Sequence, residues 1–411
     1  MPASVLLLIP TTSYKTDDFM RAAARLDVEL IVGTDRRQAL EAVAAGHTLA
    51  FDLRDTARAL DDIERLAARR GLHAVLGVDD ETTLLATLAA ARLGLPHNPI
   101  EAVRATRDKY EMRRLFSRAG LFGPAFERLP LDVDPVELAS GLSFPGVLKP
   151  VGLAGSRGVI RVDDRSGFVR AFRRIAAILD DAEVRRLKGV QRHLLFERYL
   201  PGAEYAVEGL LDRGRLHVLA LFDKPDPLVG PYFEETLLVT PSRASEGVRR
   251  ALADETHAGC RALGLVHGPL HAELRVSEGR PWLIEIAART IGGICSRTLR
   301  FGHGRSLEQL VLGQALGDGA ILDPVPGAAG VMMLPIPARG ILREVRGIDA
   351  ARRVDLVEEV TMTMHRGDEV IPLPEGHRYL GFVFARGSTP EAVEHALRAA
   401  GALLKFEIEP V

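Results

Sequence analysis

Charged residues recur at alternate positions in the segment His271–Arg289, H-A-E-L-R-V-S-E-G-R-P-W-L-I-E-I-A-A-R. The tripeptide Ser277-Glu278-Gly279 separates two runs that alternate apolar and polar residues, and this pattern predicts a β-hairpin. Successive side chains of a strand point to opposite faces, so the polar residues should share one face of the sheet. They are His271, Glu273, Arg275, Glu285 and Arg289.

Two neighbouring glutamates with arginines at their flanks could hold Mg²⁺ and bind phosphate. A solvated hairpin face with cross-strand ion pairs is the commoner outcome of such a pattern, and the hairpin alone does not separate the two. The opposite face should pack into a core through its apolar side chains, Leu270, Leu274, Val276, Ile284 and Ile286.

The bulk composition restricts the class of protein. The chain has 411 residues, room for roughly two to four domains. Its 53 Lys and Arg residues and 55 Asp and Glu residues give a net charge of −2, so nothing indicates a nucleic-acid or membrane partner. Cys260 and Cys295 cannot form a disulfide framework or a C-x-x-C zinc site. Without a signal peptide or an apolar run of about 20 residues, we expect a soluble, cytoplasmic protein.

Residues 1–95 alternate strand and helix patterns, starting with the apolar run Val5–Ile9. Repeated βα units of this length predict a small, open, parallel sheet. No G-x-G-x-x-G follows the first strand, so dinucleotide binding has no support. The segment Leu95–Pro99 is typical of a linker.

A lysine and a glycine-rich segment mark the middle of the chain. Thr106 is predicted to cap a helix that carries Lys109 and ends at Gly120. A short strand then ends at Lys149-Pro150 and leads into Gly152–Gly158, G-L-A-G-S-R-G. Backbone N–H groups in such a loop can bind phosphates, but a plain hairpin turn is favoured by roughly two to one.

Several motifs, taken in their order along the chain, resemble those of the ATP-grasp carboxylate–amine ligases. They are Lys109 on a helix, Lys149 before a glycine loop, E-R-Y-L-x-G-x-E from Glu197 to Glu204, a strand bearing Glu273, and E-I-x-x-R-x-x-G-G from Glu285 to Gly293. The A-A-R form at Ala287–Arg289 and the F-x-E-T segment at Phe233–Thr236 are similar to those of ligases that join L-amino acids into dipeptides.

The resemblance implies a multidomain α/β and α+β protein with the ATP-grasp fold. A parallel α/β domain would span residues 1–95 and the ATP-grasp region residues 96–322. That region would hold a glycine-flap subdomain, at about 120–196, and a metal-binding sheet, at about 197–322. Residues 323–411 would form a C-terminal α+β lid.

The resemblance also implies roles for individual residues. Lys109 and Lys149 would contact the phosphates and adenine of ATP, and the loop Gly152–Gly158, with Gly155 and Ser156, would close over the phosphates. Adenine and ribose would be bound by Glu197, Tyr199, Leu200 and Glu204. Glu273 and Glu285 would ligate Mg²⁺, or Mn²⁺ in its place. The acid and amine substrates would meet Glu235, His271, Arg289, Gly292 and Gly293, of which the first three would be catalytic.

Three positions depart from the family pattern. Ala287 stands where many members have a metal-ligating Asn, so one ligand is missing. Leu238 stands where the dipeptide ligases tend to have a histidine, which leaves His271 as a possible substitute for stabilising the tetrahedral intermediate. Gly293 stands where a bulky residue can restrict the first substrate, and from it we expect a roomier acyl pocket.

The expected activity is formation of an amide from a carboxylate, such as an amino acid, and an amine, through an acyl phosphate. Attack of a carboxylate on the γ-phosphate brings several negative charges together, and a metal ion with lysines and an arginine neutralises them. Two alternatives stay open: a carboxylase-like enzyme that activates bicarbonate with a separate biotin carrier, and a nucleotide-binding protein without catalysis. A homodimer is expected from base rates alone.

Overall fold

The N-terminal sheet is parallel, as its sequence pattern predicts. The computed structural model describes residues 2–35, 48–52, 55–186 and 192–411. The four strands lie in the order β3-β2-β1-β4, and every residue of β1 is buried because helices cover both faces. The elements are β1 (Ser4–Leu8), α1 (Thr16–Arg25), β2 (Glu29–Thr34), β3 (Thr48–Ala50), α2 (Thr56–Arg70), β4 (Leu72–Gly77) and α3 (Asp80–Arg92).

Two short helices follow, α4 (Ile100–Thr106) and α5 (Lys109–Arg118). The prediction that Thr106 caps the second helix is wrong, because Thr106 ends α4 and its hydroxyl donates to the carbonyl of Val103 at 2.8 Å. Asp108 is the cap, and its carboxylate accepts from the backbone N–H groups of the first turn. Lys109 therefore begins α5, and its side chain lies one turn from that of Arg113 on the buried face.

The next subdomain is an antiparallel sheet in the order β5-β8-β6-β7. Its helix α7 packs on the sheet through a cluster of phenylalanines that includes Phe168 and Phe172. The glycine-rich loop 151–159 joins β6 to β7. The elements are β5 (Phe126–Pro130), α6 (Pro135–Leu138), β6 (Gly146–Pro150), β7 (Ile160–Val162), α7 (Arg165–Asp180), α8 (Ala182–Arg186) and β8 (His193–Arg198).

The rest of the chain, from residue 203, forms an eight-stranded sheet that carries Glu204, His271, Glu273 and Glu285, and a separate three-stranded sheet. Its elements before residue 323 are β9 (Ala203–Asp212), β10 (Arg215–Asp223), β11 (Leu237–Thr240), α9 (Glu246–Leu263), β12 (Gly268–Ser277), β13 (Arg280–Ala287), a 3-10 turn (Cys295–Thr298) and α10 (Leu307–Ala315). Those after it are β14 (Ala328–Leu334), β15 (Gly340–Arg346), α11 (Ile348–Arg352), β16 (Val357–Met362), β17 (Glu369–Val370), β18 (Gly381–Gly387), α12 (Pro390–Leu403) and β19 (Lys405–Glu409).

The eight strands run in the order β13-β12-β9-β10-β11-β14-β18-β16. The sheet continues across the expected domain boundary at residue 323, because β11 pairs with β14. The strands β17, β15 and β19 form a separate small sheet. The C-terminal segment is thus joined to the ATP-grasp region by main-chain hydrogen bonds, and the proposed division at 323 stays a prediction.

The hairpin predicted at 271–289 is β12 and β13. Glu273 lies opposite Glu285, but the next pair is Leu274 with Leu283, so Ile284 is an extra residue in a β-bulge. The prediction that Ile284 packs into the core is therefore wrong: Leu283 is 0% exposed and takes that place, while Ile284 is half-buried. Among the helices of the described residues, none is long and apolar enough to cross a membrane.

Candidate functional site

Three glutamates from three segments surround the ammonium group of Lys224. Its Nζ lies 2.7 Å from Glu204 and 3.4 Å from Glu273, and it also donates to Glu235. One carboxylate oxygen from each glutamate lies within 4.8 Å of the other two. Lys224 follows directly on β10, and its side chain is only 3% exposed. This Lys224 cluster holds more negative than positive charge, and its oxygens suit a hard cation such as Mg²⁺.

Burial and charge set the protonation of the cluster. Burial opposes the charge of Lys224, but the three glutamates outweigh it and raise its pKa well above the usual value. Burial and the neighbouring carboxylates, opposed by Lys224, raise the pKa of Glu235 to about 7. Burial alone would raise the pKa of Glu273, but Lys224 and His271 outweigh it and lower that pKa well below the usual range. Glu273 is therefore the carboxylate best able to stay ionised.

Lys109 connects α5 to the other predicted metal ligand. Its Nζ lies 3.1 Å from Glu285 and donates to the carbonyl of Leu153 in the glycine-rich loop at 2.9 Å. Its backbone N–H donates to the carbonyl of Val151 at 3.0 Å. Lys109 thus spans the gap between the glycine-rich loop and the Glu273–Glu285 pair.

Glu197 is held by two cations in the interior of the protein. Lys149 Nζ lies 2.5 Å from Oε2 of Glu197, and Arg113 Nε lies 2.5 Å from Oε1. Arg113 also donates through NH2 to the carbonyl of Ile284, in the β-bulge, at 2.5 Å. Burial opposes ionisation of Glu197, but Arg113 and Lys149 prevail and lower its pKa. Its carboxylate is therefore occupied by ion pairs, and a contact between its side chain and adenine stays a prediction.

The segment from Tyr199 to Glu204 is organised by Arg275. This guanidinium donates to Glu204 at 2.7 Å and to the carbonyl of Leu200 at 2.7 Å. It also lies 5.5 Å from the ring centroid of Tyr199, which stacks on Phe233. Arg275 therefore contacts three of the four residues predicted to bind adenine and ribose, Tyr199, Leu200 and Glu204.

Arg289 reaches the N-terminal domain. Its Nε and NH2 donate to one oxygen of Asp80 at 2.9 and 2.8 Å, across 209 positions of sequence. Burial favours the neutral acid at Asp80, but Arg289 prevails and lowers its pKa. Lys15, from the same domain, donates to the hydroxyl of Thr290 at 3.2 Å. The N-terminal domain therefore fixes both Arg289 and the residue that follows it.

His271 lies between two carboxylates. Its Nδ1 is 3.1 Å from Glu208 and its Nε2 is 3.5 Å from Glu273. Burial alone would lower its pKa, but hydrogen bonds with these two groups raise it to about 9. The other oxygen of Glu208 accepts from the backbone N–H of Ile291 at 2.9 Å. Leu238 is buried in the core and offers no polar side chain. The role predicted for His271 in the reaction stays a prediction.

Three family models match successive parts of the chain. An ATP-grasp N-terminal domain matches residues 20–97, an ATP-grasp domain residues 142–298, and an L-amino acid ligase C-terminal domain 2 residues 332–409. The crystal structure of L-amino acid ligase from Bacillus licheniformis superposes with a TM-score of 0.86 over 99% of both chains, at 26% identity. The chain belongs to the ATP-grasp superfamily.

Curated ATP-grasp relatives match smaller parts of the chain. The alanine–anticapsin ligase of Bacillus subtilis (strain 168) is 28% identical over 237 residues, 54% of this chain and 50% of that protein. The D-alanine–D-alanine ligase of Gloeobacter violaceus is 29% identical over 235 residues, 53% of this chain and 72% of that protein. The chain thus spans about half the length of the alanine–anticapsin ligase.

Four charged residues of this ATP-grasp site do not stand out in the sequence. Lys224 had an available signal, because Lys224-Pro225 directly follows β10 and Lys149-Pro150 ends β6. Asp80 had a weak one, because the acidic run Asp79-Asp80-Glu81 follows a strand. Arg113 and Glu208 gave none, since their partners are distant in sequence.

The position of Gly293 does not support the roomier acyl pocket expected from the sequence. A Cβ atom at Gly293 would lie 2.9 Å from Cζ of Phe382, which comes from β18. Phe382 is 0% exposed, so its ring fills the space left by the missing side chain. Ala287, the last residue of β13, lies opposite His271 in the hairpin and is buried.

We expect Gly293→Ala to destabilise the protein by about 1–3 kcal/mol, and Gly293→Trp by at least as much. The added Cβ meets Phe382, and the backbone at 293 has a φ of 58°, which favours glycine. Gly292→Ala is the matched control, because a Cβ there meets nothing within 4 Å. Urea unfolding of the three variants would measure the difference, and a Gly293→Ala variant as stable as the wild type would show that Phe382 moves aside freely.

Proposed function

We propose that this protein is an ATP- and Mg²⁺-dependent ligase that joins the carboxylate of an amino acid to an amine and releases ADP and phosphate. The observation that carries the proposal is the Glu273–Glu285 pair, which lies between the cations Lys109 and Lys224. Carboxylates suit a metal ion and the lysines suit phosphates, so this alternation fits a metal–nucleotide complex. Similarity to amide-forming ligases supports this reaction over bicarbonate activation.

The role proposed for each side chain follows from its charge. Lys109 and Lys149 would bind the nucleotide, and Arg289 would hold the phosphate being transferred and the acyl group. Mg²⁺, or Mn²⁺, held by Glu273 and Glu285, would neutralise negative charge on the phosphates when bound. The oxygens of the Lys224 cluster offer it the ligand type that it prefers.

The proposed reaction has two steps. An oxygen of the substrate carboxylate attacks the γ-phosphorus, and the bond to ADP breaks, which gives an acyl phosphate. The amine nitrogen then attacks the acyl carbon, the bond to the phosphate oxygen breaks, and the nitrogen loses a proton. The glycine-rich loop would exclude water between the steps, because an exposed acyl phosphate hydrolyses. Glu235, with its pKa raised to about 7, would accept the proton from the amine.

A phosphate-release screen over pairs of acids and amines with Mg²⁺ and ATP tests the proposal. We expect release that requires an amino acid together with an amine, with an amide product detected by mass spectrometry. Release stimulated by bicarbonate and biotin would favour the carboxylase alternative, and nucleotide binding without release from any pair would favour the non-catalytic one. A homodimer stays a prediction that light scattering would check.

A further inference from the structure

A loop of the C-terminal segment touches the glycine-rich loop directly. The backbone N–H of Gly158 donates to the carbonyl of Pro374 at 2.9 Å. A Cβ at Gly155 would lie 3.3 Å from Cβ of His377, so the two segments are in close contact at Gly155. These contacts join the flap subdomain to residues 372–377, a segment more than 200 positions further along the chain.

An ion pair beside these contacts ties the same two parts together. Arg174, on α7 of the flap subdomain, donates to both oxygens of Glu375, through Nε at 2.5 Å and NH2 at 2.9 Å. The third nitrogen of Arg174 donates to the hydroxyl of Tyr232, in the loop that follows Lys224. Because the guanidinium binds both oxygens of the carboxylate, the pair sets the orientation of α7 relative to residues 372–377 as well as the distance between them.

The glycine-rich loop needs an external support of this kind. Glycine loses more conformational freedom on ordering than any other residue, so a loop rich in glycine is costly to hold in one shape. Within the loop, Gly155, Ser156 and Gly158 all have positive φ angles. Lys109 restrains the start of the loop through Leu153, whereas the contact from Pro374 restrains its end.

We propose that Glu375 and the backbone of Pro374 act as positioning residues that hold the glycine-rich loop closed over the nucleotide. The inference rests on the proposed function, because the loop must cover ATP for its position to matter. It assigns the C-terminal segment a part in nucleotide binding, although no residue of that segment belongs to the motifs that bind ATP. If the contacts of Pro374 and Glu375 are weakened, the dissociation constant for nucleotide should rise and water should reach the acyl phosphate.

A charge swap between Arg174 and Glu375 tests the proposal. Because the pair is partly exposed, we expect Glu375→Arg and Arg174→Glu each to raise the dissociation constant for Mg²⁺-ADP by about 5- to 10-fold. The double variant, with the charges exchanged, should return to within about 2-fold of the wild type. Calorimetry with Mg²⁺ and ADP measures all four proteins without requiring turnover.

The control is Glu369→Arg, which breaks the Arg339–Glu369 pair, an exposed ion pair that lies wholly within the C-terminal segment. Its nucleotide affinity should equal that of the wild type. Unchanged affinity in the two single swaps would overturn the proposal, and so would a loss that the double swap does not restore. Failure of the proposed function would look different, since the wild type would then bind ADP but release no phosphate with any acid and amine.

Discussion

Replacing Glu285 with Gln should lower ADP production by at least about 100-fold, comparable to the loss of one main electrostatic contact to a transition state. The change keeps the size of the side chain and a hydrogen-bond acceptor for Lys109, but removes the charge that a metal ion needs. Glu285 lies opposite Glu273 in the hairpin, so a metal ion held by both would lose one of two anionic ligands. Turnover would be measured as ADP formation at saturating ATP with the best acid and amine.

The matched control lies on the same hairpin. Glu278→Gln removes a carboxylate from the exposed turn, where no part in metal binding is expected, and should leave ADP formation unchanged. Titration with Mg²⁺ gives a second readout, because loss of a ligand should raise the concentration needed for half-maximal activity. Equal rates in the Glu285→Gln variant and the wild type would refute the role of Glu285 and, with it, the proposed metal site.

The hairpin shows how far alternation of residue types can predict a site. The pattern correctly predicts which face carries Glu273 and Glu285, because the side-chain period of a strand is two. It does not predict the bulge at Ile284, where one extra residue shifts the alternation and brings Leu283 into the core. In the bulge, the carbonyl of Ile284 accepts from the guanidinium of Arg113, which comes from a helix 171 positions earlier.

Contacts between distant segments account for what the sequence could not show. The motif order predicts Lys109, Lys149 and Glu197 as parts of one nucleotide site, and the structure brings the last two into direct contact. It does not predict that the carboxylate of Glu197 is occupied by its neighbours, since local pattern carries no information on which buried charges pair. The same holds for Asp80 and Arg289, which meet across two domains.

The second large expected effect is a loss of stability when the buried Arg113 is replaced. We expect Arg113→Met to destabilise the protein by about 3 kcal/mol, because it leaves the buried carboxylate of Glu197 with one cation, Lys149, instead of two and removes the donor to the carbonyl of Ile284. Arg113 is 2% exposed and binds both Glu197 and the carbonyl of Ile284. Urea unfolding followed by the fluorescence of Trp282, the single tryptophan, reports on the same hairpin.

Arg114→Met is the matched control, since the neighbouring arginine is 40% exposed and pairs with Glu111 one turn away on the helix. Its cost should be far smaller than that of Arg113→Met, because a solvent-exposed ion pair contributes little to stability. A double variant, Arg113→Met with Glu197→Gln, should cost less than the sum of the single changes, because the carboxylate that Arg113 compensates is then absent. Additive costs would show that Arg113 and Glu197 act independently.

The stability that the Arg113–Glu197 ion pair contributes should decrease at acidic pH. The pKa of Glu197 is lowered in the folded protein, so its ion pairs contribute stability above the unfolded pKa, about 4.3 for a glutamate. That contribution is lost as pH falls through the lower, folded value, because the protonated acid no longer pairs with Arg113. The stability difference between the wild type and Arg113→Met should therefore be full at pH 7 and shrink below about pH 4. A difference that stays the same on acidification would mean that Arg113 stabilises the fold through the carbonyl of Ile284, which does not titrate, rather than through the charge of Glu197.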